Sequence, residues 1–581
     1  MPRYLVTAAL PYANGPLHFG HIAGAYLPSD VYARTLRQQG EEVLFVCGTD
    51  EHGVAITQSA EQAGVDYGTW VARWRAEIGA TFDALGIRFD MWSGTSVAPR
   101  HAEFSQDFFR RLNTHGYLLR QTSEQLFSPT ENQFLADRYV VGGCPKCGYE
   151  KARGDECPRC GAWLDALELI EPRSRRTGAP LERRPTTHWY LDLPKLRDEA
   201  LGRWVSEHEW KSNVAPFLAG LVKDTLPRAI TRDMAWGVPL PEDTPDYEHG
   251  KVLYVWFDAP IGYISITAQW AAERGDPDGW KRWWQDPDTR LVHFLGKDNI
   301  PFHCFVFPAM LYGQKQGYVL PWQVPANEFY NLEGKKFSTS EGWTIPLNGF
   351  LERHDPEIAR FYLLASCPET ADSEWLWEGY QAAAGQLADA IGNLATRVLR
   401  FIAKNNQNRV PPFDADRFGA DERTLLEQCG AIADPGEHIR GFRFRRAAEA
   451  LIANATIGNV FIDRLAPWTL RKTDPERAEA VLHLAVQWIA NLARWLAPVC
   501  PAKAQSLWAM CGGSGEAARA GWPAGLEAGG AWRPIAAGTD LGEIAALFRK
   551  LDDSEVATER AALVTAPASP SAPKADGRPN S

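Results

Sequence analysis

The first fifty residues constrain the fold more than any other stretch of the chain. Residues 3–9 (RYLVTAA) form a short apolar run, as expected of a strand buried on both faces. A loop rich in Pro and Gly, PYANGPLHFG, follows it. The stretch from His21 to Gln39 then reads as a helix, with Gly40 as its C-cap and Pro28 as an internal kink. A second strand is expected at Glu42–Gly48 (EVLFVCG), ending in Thr49-Asp50-Glu51-His52-Gly53. Strand–helix–strand at this spacing is a right-handed parallel unit. Open parallel sheets bind ligands beyond the carboxyl ends of their strands, which is where residues 12–21 and 49–53 fall.

A chain of 581 residues is too long for one core. The α/β pattern breaks near residue 118, and 118–225 reads as an insertion rich in Cys, Gly, Arg and Pro. Strand signals resume at Val252–Asp258 and Leu291–Gly296, and a polar hairpin, NLEGKKFSTS, occupies 331–340. Beyond 385 the pattern is helical to about 550. The segment 551–581, which ends in TAPASPSAPKADGRPNS, is expected to be unstructured. The net charge of −11 is a poor guide to nucleic-acid binding in so long a chain, where local clusters of Lys and Arg decide it. Two are present: Arg173, Arg175, Arg176, Arg183 and Arg184, and then Arg440, Arg443, Arg445 and Arg446. A solvated charged face is the alternative for each. No apolar run is long enough to span a membrane, and the N-terminus lacks a signal-like apolar region, so a cytoplasmic address is expected.

Four of the ten cysteines stand at Cys144, Cys147, Cys157 and Cys160, as Cys-Pro-Lys-Cys-Gly and Cys-Pro-Arg-Cys-Gly. Pro opens and Gly closes each turn, so that backbone N–H groups can reach the sulfurs. Four thiolates at this spacing suit one tetrahedral Zn²⁺; with every coordination position filled, its role would be structural. Two disulfides are the alternative, which a reducing compartment disfavours.

His18-Phe19-Gly20-His21 places two imidazoles three residues apart at a helix N-terminus, where free N–H groups attract phosphate. Lys336-Phe337-Ser338-Thr339-Ser340 lies far downstream in the hairpin. An H-x-G-H followed by K-x-S-x-S resembles the class I aminoacyl-tRNA synthetases. The resemblance implies a Rossmann-type catalytic domain in which His18, Gly20, His21, Lys335, Lys336, Ser338, Thr339 and Ser340 bind ATP with its Mg²⁺. His18, His21 and Lys336 would be catalytic, stabilising the α-phosphate during adenylate formation. Thr339 stands where the family's loop has a second lysine, and Lys335 is the expected substitute for that charge.

The longer strings A-L-P-Y-A-N-G, Trp256-Phe257-Asp258-Ala259-Pro260-Ile261-Gly262-Tyr263 and Gly296-Lys297-Asp298 are similar to those of the methionyl enzymes. By that resemblance Ala9, Leu10, Tyr12, Trp256, Ala259, Pro260, Tyr263 and His303 line a methionine pocket, and Asp50 holds the α-ammonium. Aromatic faces suit a polarizable thioether, and hydrogen bonds to the sulfur are expected from a tyrosine hydroxyl and His303. The insertion is too short for the editing domain of the Ile, Val and Leu enzymes. In the helical part, Asn393 and Arg397 share one helix face. With Trp468 they resemble the family's reader of the CAU anticodon, and the arginines at 440–446 are expected on phosphates.

The domains implied are catalytic halves at 1–117 and 226–325, the zinc-bearing insertion at 118–225, a stem-contact region at 326–385 and an all-α anticodon-binding bundle at 386–550, with 551–581 as tail. The expected partners are ATP, L-methionine and tRNA(Met), and neither DNA nor membrane. Many relatives dimerise through a C-terminal barrel that this sequence lacks, so a monomer is expected. A non-charging paralogue that binds an amino acid or RNA is the alternative.

Overall fold

The computed structural model describes residues 2–135, 139–154, 157, 159–160, 164–223, 225–244, 250–337, 342–424, 434–523 and 534–565. Strands β1 (Arg3–Ala8), β2 (Glu42–Thr49) and β3 (Met91–Gly94) come first. Two long strands of the insertion follow, β4 (Leu118–Ser128) and β5 (Glu182–Leu191), and then β6 (Thr289–Gly296) and β7 (Pro321–Gln323). β7, β6, β1, β2 and β3 lie side by side in that order, all parallel. Alternate side chains feed two cores: Leu5, Leu44, Val46 and Leu291 on one face, Tyr4, Val6, Phe45 and Val292 on the other. Strand order reverses beside β1, so a crevice opens at its carboxyl end.

The helix after β1 differs from the single kinked helix the sequence predicts. His18 caps it, Phe19–His21 opens it, Ile22–Tyr26 forms a π-type turn, and α1 (Leu27–Gln38) continues. Proline lacks the N–H for the i−4 bond and its ring crowds that carbonyl. The wider turn just before Pro28 absorbs the mismatch. The other half of the sheet repeats the device after β6: a π turn at Phe302–Val306 precedes a helix, Phe307–Gly313, with Pro308 in its first turn. Gly40 ends α1 at φ 86°, as expected of a C-cap.

Two further expectations are corrected. Only Lys251–Leu253 is strand, paired with Thr231–Asp233 and not with the main sheet; Val255–Asp258 is a helical turn. The β-prone residues there are buried among helices, and tertiary packing overrides propensity. The tail expected from 551 is ordered to Thr565: Asp553–Thr565 forms a helix, anchored where Glu559 receives Arg353 and His354. Residues 566–581 lie outside the described residues.

In the insertion β4 and β5 pair antiparallel from Leu118↔Leu191 to Phe127↔Glu182. Beyond this ribbon, Val140–Gly143, Ala152–Arg153 and Ile170–Ser174 make a small sheet that carries the cysteines. Arg360, fully buried, joins the catalytic and helical parts. It pairs with Asp30 at 2.7 Å and donates to the carbonyls of Leu85, Pro498 and Val499. Removing one partner of such a buried pair costs about 3–5 kcal/mol.

Candidate active site

A cleft of about 590 Å³ lies at the carboxyl ends of β1 and β6. Ala9, Leu10, Tyr12, His18, Gly20, His21 and Lys336 all line it, so the two distant motifs meet in one cavity. His18 Nδ1 accepts from the Gly20 N–H at 3.1 Å, and His21 Nδ1 accepts from the His18 N–H at 3.2 Å. An imidazole nitrogen that accepts carries no proton, so each neutral ring bears its hydrogen on Nε2. Burial, with His21 3.8 Å away between ring centroids, holds His18 down at about 2. Both rings are therefore neutral donors, fixed by the helix cap. A Cβ on Gly20 would meet the His18 ring at 2.8 Å, so the small residue between the histidines is a steric requirement.

Phe337 stacks on His18 at 4.6 Å, with 4° between the planes. Sequence reasoning missed it because the motif treats that position as variable. Lys336 Nζ lies 4.7 Å from the Phe329 ring centroid and Lys297 Nζ lies 4.0 Å from it. The Lys335 ammonium does not line the cleft; it stands over Trp343 at 4.8 Å. Adjacent residues leaving a hairpin point to opposite sides, so Lys335 is not placed to replace the missing lysine. Ser338, Thr339 and Ser340 lie outside the described residues.

Behind Leu10 is a buried wall. Tyr263 donates to His303 Nε2 at 2.9 Å and receives the Leu10 N–H, while His303 Nδ1 donates to the Asn299 carbonyl at 3.1 Å. Burial lowers His303 to about 4. Both protons expected to face a sulfur are thus engaged within the wall. Ala259 and Pro260 are buried beside this wall. Trp256 stacks on Phe302 at 4.1 Å. Asp50 is buried, bonded through its backbone to Pro11 and Ala13 on either side of Tyr12. Burial, reinforced by Asp258, raises its carboxyl well above the usual range.

A network the sequence did not reveal lies beneath. Asp258 Oδ2 receives His52 Nδ1 at 2.6 Å and His101 Nε2 at 3.2 Å, and His101 Nδ1 meets Ser265 at 3.0 Å. His52 and Asp258 belong to the quoted motifs, but nothing in their spacing brings His101 to them.

The four cysteine sulfurs lie within 4.8 Å of one another, with 3.9 Å between Cys144 and Cys160 and 3.7 Å between Cys147 and Cys157. Those gaps exclude disulfides. Thiolates about 2.3 Å from a tetrahedral metal stand about 3.8 Å apart, so the cluster fits a metal ion. In the first knuckle the Gly148 N–H reaches the Cys144 carbonyl, not a sulfur, at 2.9 Å with Gly148 at φ 71°, and the backbone hydrogen bond to the Cys147 sulfur comes from Tyr149.

In the helical part Arg397 lies 5.4 Å from the Trp468 ring centroid and pairs with Asp463 at 2.5 Å. Asn393 is exposed one turn earlier on the same helix. The phosphate role expected of the 440–446 arginines is corrected in part. Arg440 is spent on Glu41, Gln39 and Tyr4 at the catalytic domain, and Arg446 pairs with Glu449. In the insertion cluster Arg173 and Arg184 pair with the neighbouring Glu171 and Glu182, Arg183 donates to the Leu167 carbonyl, and Arg176 reaches Glu131 and, across to the catalytic part, Glu61.

Comparison with known proteins shows the family of the chain. The family described as tRNA synthetases class I (M) matches residues 4–399. A second, described as the anticodon binding domain of methionyl tRNA ligase, matches 411–564. A methionine–tRNA ligase of Salinibacter ruber is 43% identical over 577 residues, covering 95% of this chain and 80% of the relative. One of Rubrobacter xylanophilus is 45% identical over 520 residues, covering 86% and 88%. The solved methionyl-tRNA synthetase of Mycobacterium tuberculosis, in complex with methionyl-adenylate, shares the fold. Its TM-score is 0.74 at 24% identity, with 94% of this chain and 100% of that one covered. The chain belongs to the methionyl group of the class I tRNA synthetase family. Among the described residues no helix is long and apolar enough to cross a membrane.

Proposed function

We propose that this chain is a methionine–tRNA ligase. The methionine carboxylate attacks the α-phosphorus of ATP, the bond to the β-phosphate breaks, and methionyl-adenylate and diphosphate form. The tRNA(Met) 3′-terminal hydroxyl then attacks the carbonyl and AMP leaves. The charged tRNA serves initiation and elongation. The observation that carries this reading is the meeting of His18, His21 and Lys336 in the cleft beside the Tyr263–His303 wall. His18 and His21 direct Nε2–H donors at the phosphate, and Lys336 adds a full positive charge. Fixed donors aimed at developing charge supply much of such catalysis. Gly20, Ser338, Thr339 and Ser340 complete the ATP site. Mg²⁺ bound with ATP would neutralise the polyphosphate.

Ala9, Leu10, Tyr12, Trp256, Ala259, Pro260, Tyr263 and His303 surround the methionine side chain in this reading, and Asp50 holds the ammonium. Cys144, Cys147, Cys157 and Cys160 hold one structural Zn²⁺. Asn393, Arg397 and Trp468 read the anticodon by edge bonds and stacking. The enzyme works as a cytoplasmic monomer. Methionine-dependent ATP–pyrophosphate exchange and charging of initiator and elongator tRNA test the reading; no charging at any enzyme concentration overturns it. Thr339 favours a second reading, a non-charging paralogue, which that outcome would select. Metal analysis should find one zinc per chain. Chelation should loosen the insertion and leave the main sheet folded, read by proteolysis and circular dichroism.

A further inference from the structure

The hairpin that carries Lys336 is built on an unusual turn. The Leu332 N–H donates to the Lys335 carbonyl at 2.7 Å and the Lys335 N–H to the Leu332 carbonyl at 3.0 Å, closing a two-residue loop. Glu333 has φ 46° and Gly334 φ 80°. Positive φ at both central positions is the type I′ turn, whose first position suits Asn, Asp or Gly. Glutamate is a poor residue there, because its Cβ crowds the backbone in the left-handed region. Such a conformation persists where the surroundings over-determine it.

The surroundings here are specific. The Glu333 carboxylate accepts the Trp377 N–H at 2.9 Å, and Arg560 Nη2 reaches both its oxygens at 3.0 Å. Arg560 also pairs with Glu378, so one guanidinium joins the hairpin turn to the first turn of the helix Trp377–Leu387. Arg560 comes from the helix Asp553–Thr565, more than two hundred residues later in the chain. One residue earlier, Glu559 is buried and takes a bidentate pair from Arg353, at 2.7 and 2.9 Å, plus His354 at 2.9 Å. The helix is thus fixed at Glu559 and presents Arg560 to the turn. On the hairpin's other edge Gly334 donates to Glu374 at 2.6 Å. The bonds of Glu333 and Gly334 fix the turn, and Lys336 is two residues beyond it.

We infer that Arg560, on the C-terminal helix, is a positioning residue for the nucleotide step: by holding Glu333 it sets where Lys336 stands in the cleft. This rests on the proposed reading of Lys336. Arg560 touches no reactant; it acts through the turn. Since only Lys336 is displaced, the loss should appear in kcat and in the KM for ATP, not in the KM for methionine.

The test uses the full chain with Arg560→Ala, Arg560→Lys and Glu333→Asn, the last keeping a residue that suits the turn. In methionine-dependent ATP–pyrophosphate exchange, Arg560→Ala should lower kcat about tenfold with the methionine KM unchanged, and Arg560→Lys should restore part of it. In a Lys336→Ala background Arg560→Ala should add nothing, because both act on one charge. Glu333→Asn should leave Arg560→Ala with little further effect. Amide hydrogen exchange of the peptide around 330–337 gives a readout independent of activity: Arg560→Ala should speed it while the rest of the sheet is unaltered. Unchanged amide exchange overturns the inference, as does a kcat loss that adds in full to that of Lys336→Ala. An equal rise in the methionine KM would mark a merely structural helix and also overturns it. If the wild-type chain shows no exchange activity, the proposed reaction fails, and the amide data alone decide whether Arg560 holds the turn.

Discussion

The two sides of the cleft solve opposite problems. The side proposed for phosphate keeps donors unspent: the Nδ1 atoms of His18 and His21 serve the helix cap, which leaves both Nε2–H groups outside it. The side proposed for methionine is largely engaged with itself: Tyr263, His303, Leu10 and Asn299 bond one another, and Asp258 Oδ2 collects two histidines. One side is ready for charge that appears only during reaction. The other must exchange partners to admit a ligand, so its contribution falls on binding. Interactions made only in the transition state alter kcat, whereas those made equally with the bound substrate alter KM.

Substitutions should therefore separate along that line, beginning with the largest effect. Lys336→Ala should lower the exchange kcat by about a thousandfold at an almost constant methionine KM, since it deletes a full charge from the phosphate side. A matching rise in methionine KM would erase the distinction. Asp50→Asn should lower kcat/KM for methionine about a hundredfold, as expected when a buried charge pair loses one partner. Its pH dependence sharpens the point. Burial raises the free Asp50 carboxyl, and an ammonium binds only the ionised form. Methionine KM should rise as pH falls through that raised value, and Asp50→Asn should remove the dependence. His18→Asn keeps an acceptor for the Gly20 N–H, but its shorter amide cannot place a donor where Nε2–H stands, so kcat should fall about tenfold or more with little change in melting temperature. Tyr263→Phe leaves His303 Nε2 unpaired and should cost about 1 kcal/mol, seen as a several-fold rise in methionine KM.

What the sequence made legible follows the same physics. β1, β2 and β6 each carry an apolar centre, Tyr4–Val6, Val43–Cys47 and Leu291–Leu295 broken only by His293, because both their faces are buried, and such runs read directly. The cysteine spacing and the two motifs read directly because ligand chemistry fixes spacing. β4 and β5 show no signal in the sequence: their ladder pairs Arg120 with Trp189 and Glu124 with Pro185, and β4 is exposed on both faces from Arg120 to Glu124, so no periodicity marks it. The helix at 553–565 was lost for a related reason. Its anchors are Glu559 and Arg560, which in a sequence resemble any charged tail and gain meaning only opposite Arg353, His354, Glu333 and Glu378. Arg440 misled in the same way, because a surface arginine and an interdomain staple are the same letter.

The roots of the insertion ribbon bear on how such a chain can change over time. Leu118 and Leu191 face each other across the first rung of the ladder. Paired residues of an antiparallel ladder stand about 5 Å apart, so the chain leaves the core and re-enters it through almost one doorway. Everything between is topologically a side branch. It can be lengthened, shortened or exchanged for a tight turn without re-threading a single strand of the main sheet. The cysteine-bearing module is therefore a unit that can be grafted, and a chain whose ribbon is cut to a hairpin beyond the Arg120–Trp189 rung, keeping Trp189 and Leu191 in the second core, should still assemble its parallel sheet.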